Sequence, residues 1–369
     1  MSMYTDLFLP YDFKSLLLPN RIFVAPPPSL LTDSNGIPLA SLKTYYRELA
    51  KRNPAVLITE PVAVSERGKS FGNQLSLSNP AVKRGLEEIA EEISKFNSIP
   101  ILKLYHAGVN SIPDSEYTVY GPSAINISDK TSKIKALNFH QIDEIASAYL
   151  EGAKFAWQAG FAGVQLQVSH GSLLQQFISP ITNKRQDQYG LSATGGLNFL
   201  KRIIYEIHLA IPEQFFSLDW TMRDLRPGGL TLKDSIEKLQ TLTNDEQIDF
   251  IQLSSGLHLS SVEIRSEFLD KFASPAPFKP DSSVVKNSLK IPIALSGKIE
   301  NPFIANRLIK NNFCDFVVIG NSLNRDPNWI RIAKTDQPVA FINSCLRCRV
   351  CRAVSYFCPD LQKYNRWSI

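Results

Sequence analysis

With 369 residues, 44% of them hydrophobic and 20% charged, the chain has the size and composition of a globular protein with one large core. Its net charge of +5 comes from 40 basic and 35 acidic residues, with no basic cluster interleaved with aromatics, which argues against a nucleic-acid face. No apolar run approaches the ~20 residues needed to span a bilayer, and the opening MSMYTDLFLPYDF has no basic-then-apolar leader, so no membrane association and a cytoplasmic protein are expected.

In chain order, apolar runs of strand length fall at Ile22–Ala25, Ala55–Thr59, Ile101–Tyr105, Gly163–Gln167, Phe215–Asp219, Phe250–Leu253, Ile293–Leu295 and Phe316–Ile319. Helical periodicity lies between them, at Leu42–Arg52, Ala81–Phe96, Phe139–Gln158, Leu197–Leu209, Leu232–Leu242 and Pro302–Lys310. This β-then-α rhythm predicts an α/β fold, a (β/α)8 TIM barrel whose site lies at the C-terminal strand ends. Two breaks rich in Pro, Ser and Lys, 109–137 and 258–288, are expected to be loops over or beside the mouth. Residues 1–336 are assigned to the barrel and 337–369 to a short cysteine-rich tail.

Four of the five cysteines crowd into that tail, which speaks for metal or redox use and against a secreted disulfide framework. Cys345, Cys348, Cys351 and Cys358 read CxxCxxCx₆C with Pro359 following, and the first three have ferredoxin-like spacing. A 4Fe-4S cluster ranks first, structural zinc second and unliganded thiols third. Arg347, Arg349 and Arg352 would offset the thiolate charge. Cys314, just before the last strand, reads as a core residue.

The stretch from Ala159 to Gly190, AGFAGVQLQVSHGSLLQQFISPITNKRQDQYG, resembles the signature of the old yellow enzyme / NADH:flavin oxidoreductase family. His170, Gly171, Leu173, Leu174, Phe177, Ser179, Pro180, Asn183, Arg185, Asp187, Tyr189 and Gly190 stand where its pattern expects them. LPNRIFVAPP from Leu18, LYHAG from Leu104, PSAI from Pro122, PGGLTL from Pro227, SSG from Ser254, IPIALSGKI from Ile291 and VVIGNSLNRDP from Val317 extend the resemblance to about Trp329. The tail is similar to the branch of 2,4-dienoyl-CoA reductase and trimethylamine dehydrogenase, whose barrels carry a four-iron cluster at this point and continue into nucleotide-binding domains.

The resemblance implies FMN. Flavin reduction places negative charge at N1 and O2, and a substrate carbonyl must be hydrogen-bonded during hydride transfer. The family meets these needs with a Gln on the third strand, an Arg on the fifth, a His–x–x–His/Asn pair after the fourth and a following Tyr. The matching residues are Lys103, Asp219, Gln167 with His170, and Ser172. The expected catalytic set is therefore His170, Gln167, Ser172 and Lys103. Lys103 and Asp219 read either as a family cation moved from strand five to strand three, or as two charges that only neutralise each other. Ser172 is a poor proton donor beside a phenol, leaving water or Tyr105.

The expected cofactor-binding set is Pro26, Pro28, Pro61, Lys103, Asp219, Gly297, Lys298, Gly320 and Asn321. Pro28 replaces a Thr or Cys that touches flavin O4, and Gly320–Asn321 replaces a Gly–Arg pair at the phosphate, where Lys298 restores a positive charge. No GxGxxG follows a strand, so electrons are expected from NAD(P)H bound over the flavin or from a separate electron-transfer protein. The first expectation is an FMN oxidoreductase reducing a small conjugated carbonyl compound. The others are a degenerate barrel acting as a binding or partner subunit, and a flavin dehydrogenase of an amine-like donor.

Overall fold

The computed structural model describes residues 3–14, 16–127, 130–245, 247–259 and 274–338. Cys345, Cys348, Cys351 and Cys358 lie outside the described residues, as does nearly all of the expected tail. Eight parallel strands form the barrel: β1 (Ile22–Val24), β2 (Val56–Ile58), β3 (Ile99–Tyr105), β4 (Gly163–Val168), β5 (Phe215–Thr221), β6 (Phe250–Ser254), β7 (Ile293–Leu295) and β8 (Phe316–Ile319). Each pairs with its sequence neighbour, β2 meets β3 through Val56↔Ile99, and β8 returns to β1 through Val317↔Ile22, which closes the ring.

The main helices among the described residues are α1 (Ala40–Ala50), α2 (Pro80–Ser94), α3 (Phe139–Gln158), α4 (Asn198–Ala210), α5 (Leu232–Asp245), α6 (Lys279–Ser288), α7 (Pro302–Lys310) and α8 (Trp329–Lys334), with shorter helical turns at Leu173–Ile178, Leu191–Thr194 and Asn321–Arg325. In α3 the cause is plain in the sequence. Asn138 and Gln141 form a reciprocal cap at its start, and Ile142, Ile145, Ala146, Tyr149, Ala153 and Ala156 supply one buried stripe.

The segment 258–288, expected as loop, instead contains α6. Only Ser282 and Val285 of α6 are buried, so the apolar stripe that marks the other helices is missing. Pro280 in its first turn was the available signal. In 109–137, Thr118–Gly121 and Lys133–Ala136 pair as two short parallel strands beside the mouth. Among the described residues no helix is long and apolar enough to cross a membrane.

Side chains alternate across each strand, so one set faces the helices and the other the barrel interior. The inward set at the lower end is apolar: Phe23, Val56, Ile58, Ile101, Phe250, Ala294, Phe316 and Val318. A hairpin (Tyr11–Phe13 against Leu16–Leu18) adds Phe13 and Leu18 to this cluster and stoppers the floor. Phe13 stacks on Phe215 at 5.3 Å and Phe23 on Phe316 at 4.3 Å. Higher up, the inward positions of β3 to β6 turn polar, with Lys103, Gln165, Gln167, Ser217, Asp219 and Gln252 all buried.

Candidate active site

Register brings the central charges together. Lys103 lies beside Gln165, while Asp219 lies between Gln167 on β4 and Gln252 on β6. The Lys103 Nζ reaches across the inner face of β4 to Asp219 Oδ2 at 2.9 Å, with the two side chains 7% and 2% exposed. Burial pushes the Asp219 carboxyl up, but the Lys103 ammonium and then His170 outweigh it, so the group is held below the usual carboxylate range. A buried pair like this is stable only while both charges remain. Above and below it, the side-chain oxygens of Gln167 and Gln165 are buried and have no hydrogen-bond donor among the described residues. A buried amide oxygen left unpaired costs about 1–3 kcal/mol, which marks a place where a ligand or water supplies the missing donor.

The His170 turn sits at the end of β4. His170 and Gly171 are both left-handed, at φ 55° and 78°, and the turn carries the exposed His170 imidazole to the mouth. Gly171 is obligatory, because a Cβ there would run into the His258 carbonyl oxygen. Its N–H donates to Gln175 Oε1 at 2.7 Å, and its carbonyl accepts from Gln176 Nε2 at 2.7 Å and Asn110 Nδ2 at 3.0 Å. Asn110 also donates to the His258 carbonyl at 2.6 Å, and the His170 and His258 rings meet edge to face at 5.4 Å.

The remaining expected residues are distributed around this centre. Ser172 is fully buried and donates its hydroxyl to the Gln167 carbonyl at 2.6 Å, so it points into the fold rather than the mouth. Burial pushes the Tyr105 phenol up to about 12, so it keeps its proton at neutral pH. Arg185 and Asp187 of the signature frame pair at 2.6 Å, while Arg185 also donates to the carbonyls of Pro122 and Leu137 and anchors the third loop. Pro26 is buried and Pro28 and Pro61 are half-buried at the ends of β1 and β2.

At the ends of β7 and β8, Gly297 takes φ 108° and Lys298 φ 51°, and Ser322 donates to the Ile299 carbonyl at 2.8 Å, tying the two turns together. Gly320 approaches β1 so closely that a Cβ would lie 2.6 Å from the Ala25 carbonyl oxygen. Asn321 beside it is exposed.

Three residues escaped the sequence reading: Asn110, His258 and Glu60. Glu60, two residues beyond β2, is buried, accepting the Ser29 N–H at 2.7 Å, while its own N–H donates to the Tyr46 hydroxyl at 2.8 Å. Burial pushes its carboxyl up to about 7, with the Ser29 bonds opposing. The donors and acceptors gathered at the mouth, an ammonium, a carboxylate and an unpaired amide oxygen, match the alternating edge of an isoalloxazine ring. FMN therefore fits the residues present.

The sequence matches the family model for NADH:flavin oxidoreductase / NADH oxidase over residues 6–339. The chain belongs to this flavin oxidoreductase family. It is 28% identical over 328 residues to an NADPH dehydrogenase of Geobacillus sp. (strain WCH70), a match covering 89% of this chain and 93% of that protein. An NADH oxidase of Thermoanaerobacter brockii is 27% identical over 359 residues, 95% of this chain and 54% of the relative. In fold, the chain superposes on 2-naphthoyl-CoA reductase with a TM-score of 0.86 at 22% identity, covering 94% of this chain and 54% of that one. The old yellow enzyme homologue from Zymomonas mobilis gives 0.74 at 20% identity, with 92% and 94% covered. The chain thus spans about half the length of the NADH oxidase and the 2-naphthoyl-CoA reductase, and nearly all of the other two.

Proposed function

We propose that this flavin oxidoreductase family member uses FMN to reduce a small conjugated carbonyl compound, drawing electrons from NAD(P)H or through a 4Fe-4S cluster at Cys345, Cys348, Cys351 and Cys358. The carrying observation is the buried Lys103–Asp219 pair with the unpartnered Gln167 amide oxygen, set at the strand ends where the family signature places its flavin contacts. FMN, when bound, supplies hydride transfer at its ring. Lys103, Asp219 and Gln167 would hold the ring edge, with the Lys103 ammonium stabilising negative charge there. Pro26, Pro28 and Pro61 would line its other side, and the backbone of Gly297, Lys298, Gly320 and Asn321 would take the phosphate. Exposed His170 orients the substrate oxygen and relays a proton from solvent. Ser172 acts only by fixing the Gln167 backbone. Such a protein belongs in the cytoplasm, where reduced nicotinamide is supplied.

The test is an anaerobic absorption spectrum of the purified protein with iron and zinc assayed on the same sample. Flavin bands near ~370 and ~450 nm with a broad shoulder and iron in the assay support the reading. Zinc in place of iron leaves NAD(P)H as the electron source. A colourless protein that stays so after FMN is added sinks it, and leaves a binding or partner subunit. A second reading is dehydrogenation of an amine-like donor, with electrons leaving to a separate electron-transfer protein. Bleaching of the flavin by NAD(P)H favours the first reading, and bleaching by an amine donor favours the second.

A further inference from the structure

We propose that Asn110 is a positioning residue that clamps His170 and His258 together as one two-imidazole seat for the substrate oxygen. The inference rests on the reading above for what the seat holds, but its geometry is independent of the flavin. His170 and His258 come from different strand ends, after β4 and β6, and no local sequence rule brings them together. Three features do. Gly171, next to His170, has no Cβ and lets the His258 carbonyl approach its backbone. The backbone at His170 and Gly171 turns through two consecutive left-handed residues, and the His170 ring meets the His258 ring edge to face. Asn110, in the Gly108–Asn110 turn after β3, then donates both amide hydrogens, one to Gly171 O at 3.0 Å and one to His258 O at 2.6 Å.

That arrangement uses the Asn amide fully as a donor: one planar NH₂ bridging two carbonyls that would otherwise repel across a narrow gap. The rings then meet at 5.4 Å, close enough for one proton to be felt by the other imidazole. Loop three is itself fixed. Val109 N donates to Gln176 Oε1 at 3.0 Å, and Val109 packs in a cluster with Val119, Ile134, Leu257 and Leu259, so Asn110 is braced against the His258 loop. Asn110 touches neither imidazole through these bonds. It acts through the two backbones that carry them.

Among the described residues, the charged groups near the seat include Asp219, which faces His170 and is paired with Lys103, Arg226, whose Nε donates to Leu257 O at 3.1 Å, and Lys130, whose ammonium donates to Val109 O at 2.6 Å. They set the absolute midpoints but are common to every variant below.

The test is a proton titration of the histidines by NMR on the full chain, with and without added FMN. Five histidines are few enough to resolve individually. In a clamped pair, protonated His258 depresses His170, so His258→Gln raises the His170 midpoint by roughly 0.5–2 pH units. Asn110→Ala raises it by a similar amount with His258 still present, because the loops part. Asn110→Ser, which keeps one donor, gives a smaller rise and serves if the alanine variant does not fold. A His170 midpoint that moves with His258→Gln but stays put in both Asn110 variants overturns the role of Asn110. A midpoint indifferent to His258→Gln removes the seat altogether. Failure of FMN to bind shows separately, as absence of flavin absorbance, and leaves the titration readable.

Discussion

The floor and the upper tier of the barrel interior occupy the same ring of strands yet are built on opposite principles. The floor is aromatic and interlocked, with Phe13, Phe23, Phe250 and Phe316 in mutual ring contact. The tier above it, on β3 to β6, buries an ion pair and glutamine oxygens without donors. The floor gains free energy from every contact. The upper tier spends it on desolvating charge, which makes sense only where a ligand completes the set. The division of labour along one barrel axis is what assigns stability to one end and chemistry to the other.

Lys103→Met breaks the upper tier most severely. It strands the Asp219 carboxylate and is expected to cost about 3–5 kcal/mol in urea unfolding, with loss of FMN binding. The double variant Lys103→Met with Asp219→Leu regains most of the stability but not the FMN. A loss below about 1 kcal/mol for the single variant would show the pair to be solvated and erase the contrast with the floor.

Phe316→Ala tests the other side. It is expected to cost about 3–4 kcal/mol through cavity formation while leaving FMN affinity unchanged. Next in size is Glu60, whose carboxyl sits at about 7 when folded against an ordinary 4.5. The folded state binds its proton more tightly, so stability falls as pH rises through the window from about 4.5 to 7, by about 3 kcal/mol in total. Glu60→Gln should flatten that slope in melts run across the window; an unchanged slope would mean the carboxyl is not isolated. Ser172→Ala is smallest, about 1 kcal/mol, with no change in the spectrum of the FMN-loaded protein. A large spectral change would return Ser172 to the mouth.

The fold was legible because the barrel strands are runs of buried residues separated by stretches of helical periodicity; all eight lie within two residues of expectation. α6 was not, since KPDSSVVKNS buries too little to show a stripe. The ion pair could be anticipated because its residues fall at signature positions whose replacements are visible one by one. Asn110, His258 and Glu60 could not. Their importance lies in backbone atoms contributed by other loops, a relation set by three-dimensional approach and carrying no spacing rule. Ser172 shows the converse: it stands at a catalytic position of the signature, yet its direction, fixed by the Gln167 carbonyl, gives it a structural task.

The stopper formed by the Tyr11–Leu18 hairpin also sets the order in which the molecule can be completed. Phe13 is made early but reaches its contact with Phe316 only after about three hundred further residues exist, a long-range closure of the kind that slows folding. Until β8 is synthesised, the hairpin has no finished ring to seat in. Without Phe316 the floor lacks the ring against which Phe13 and Phe23 pack. Chaperone demand during synthesis should therefore peak late and fall sharply once Phe316 docks.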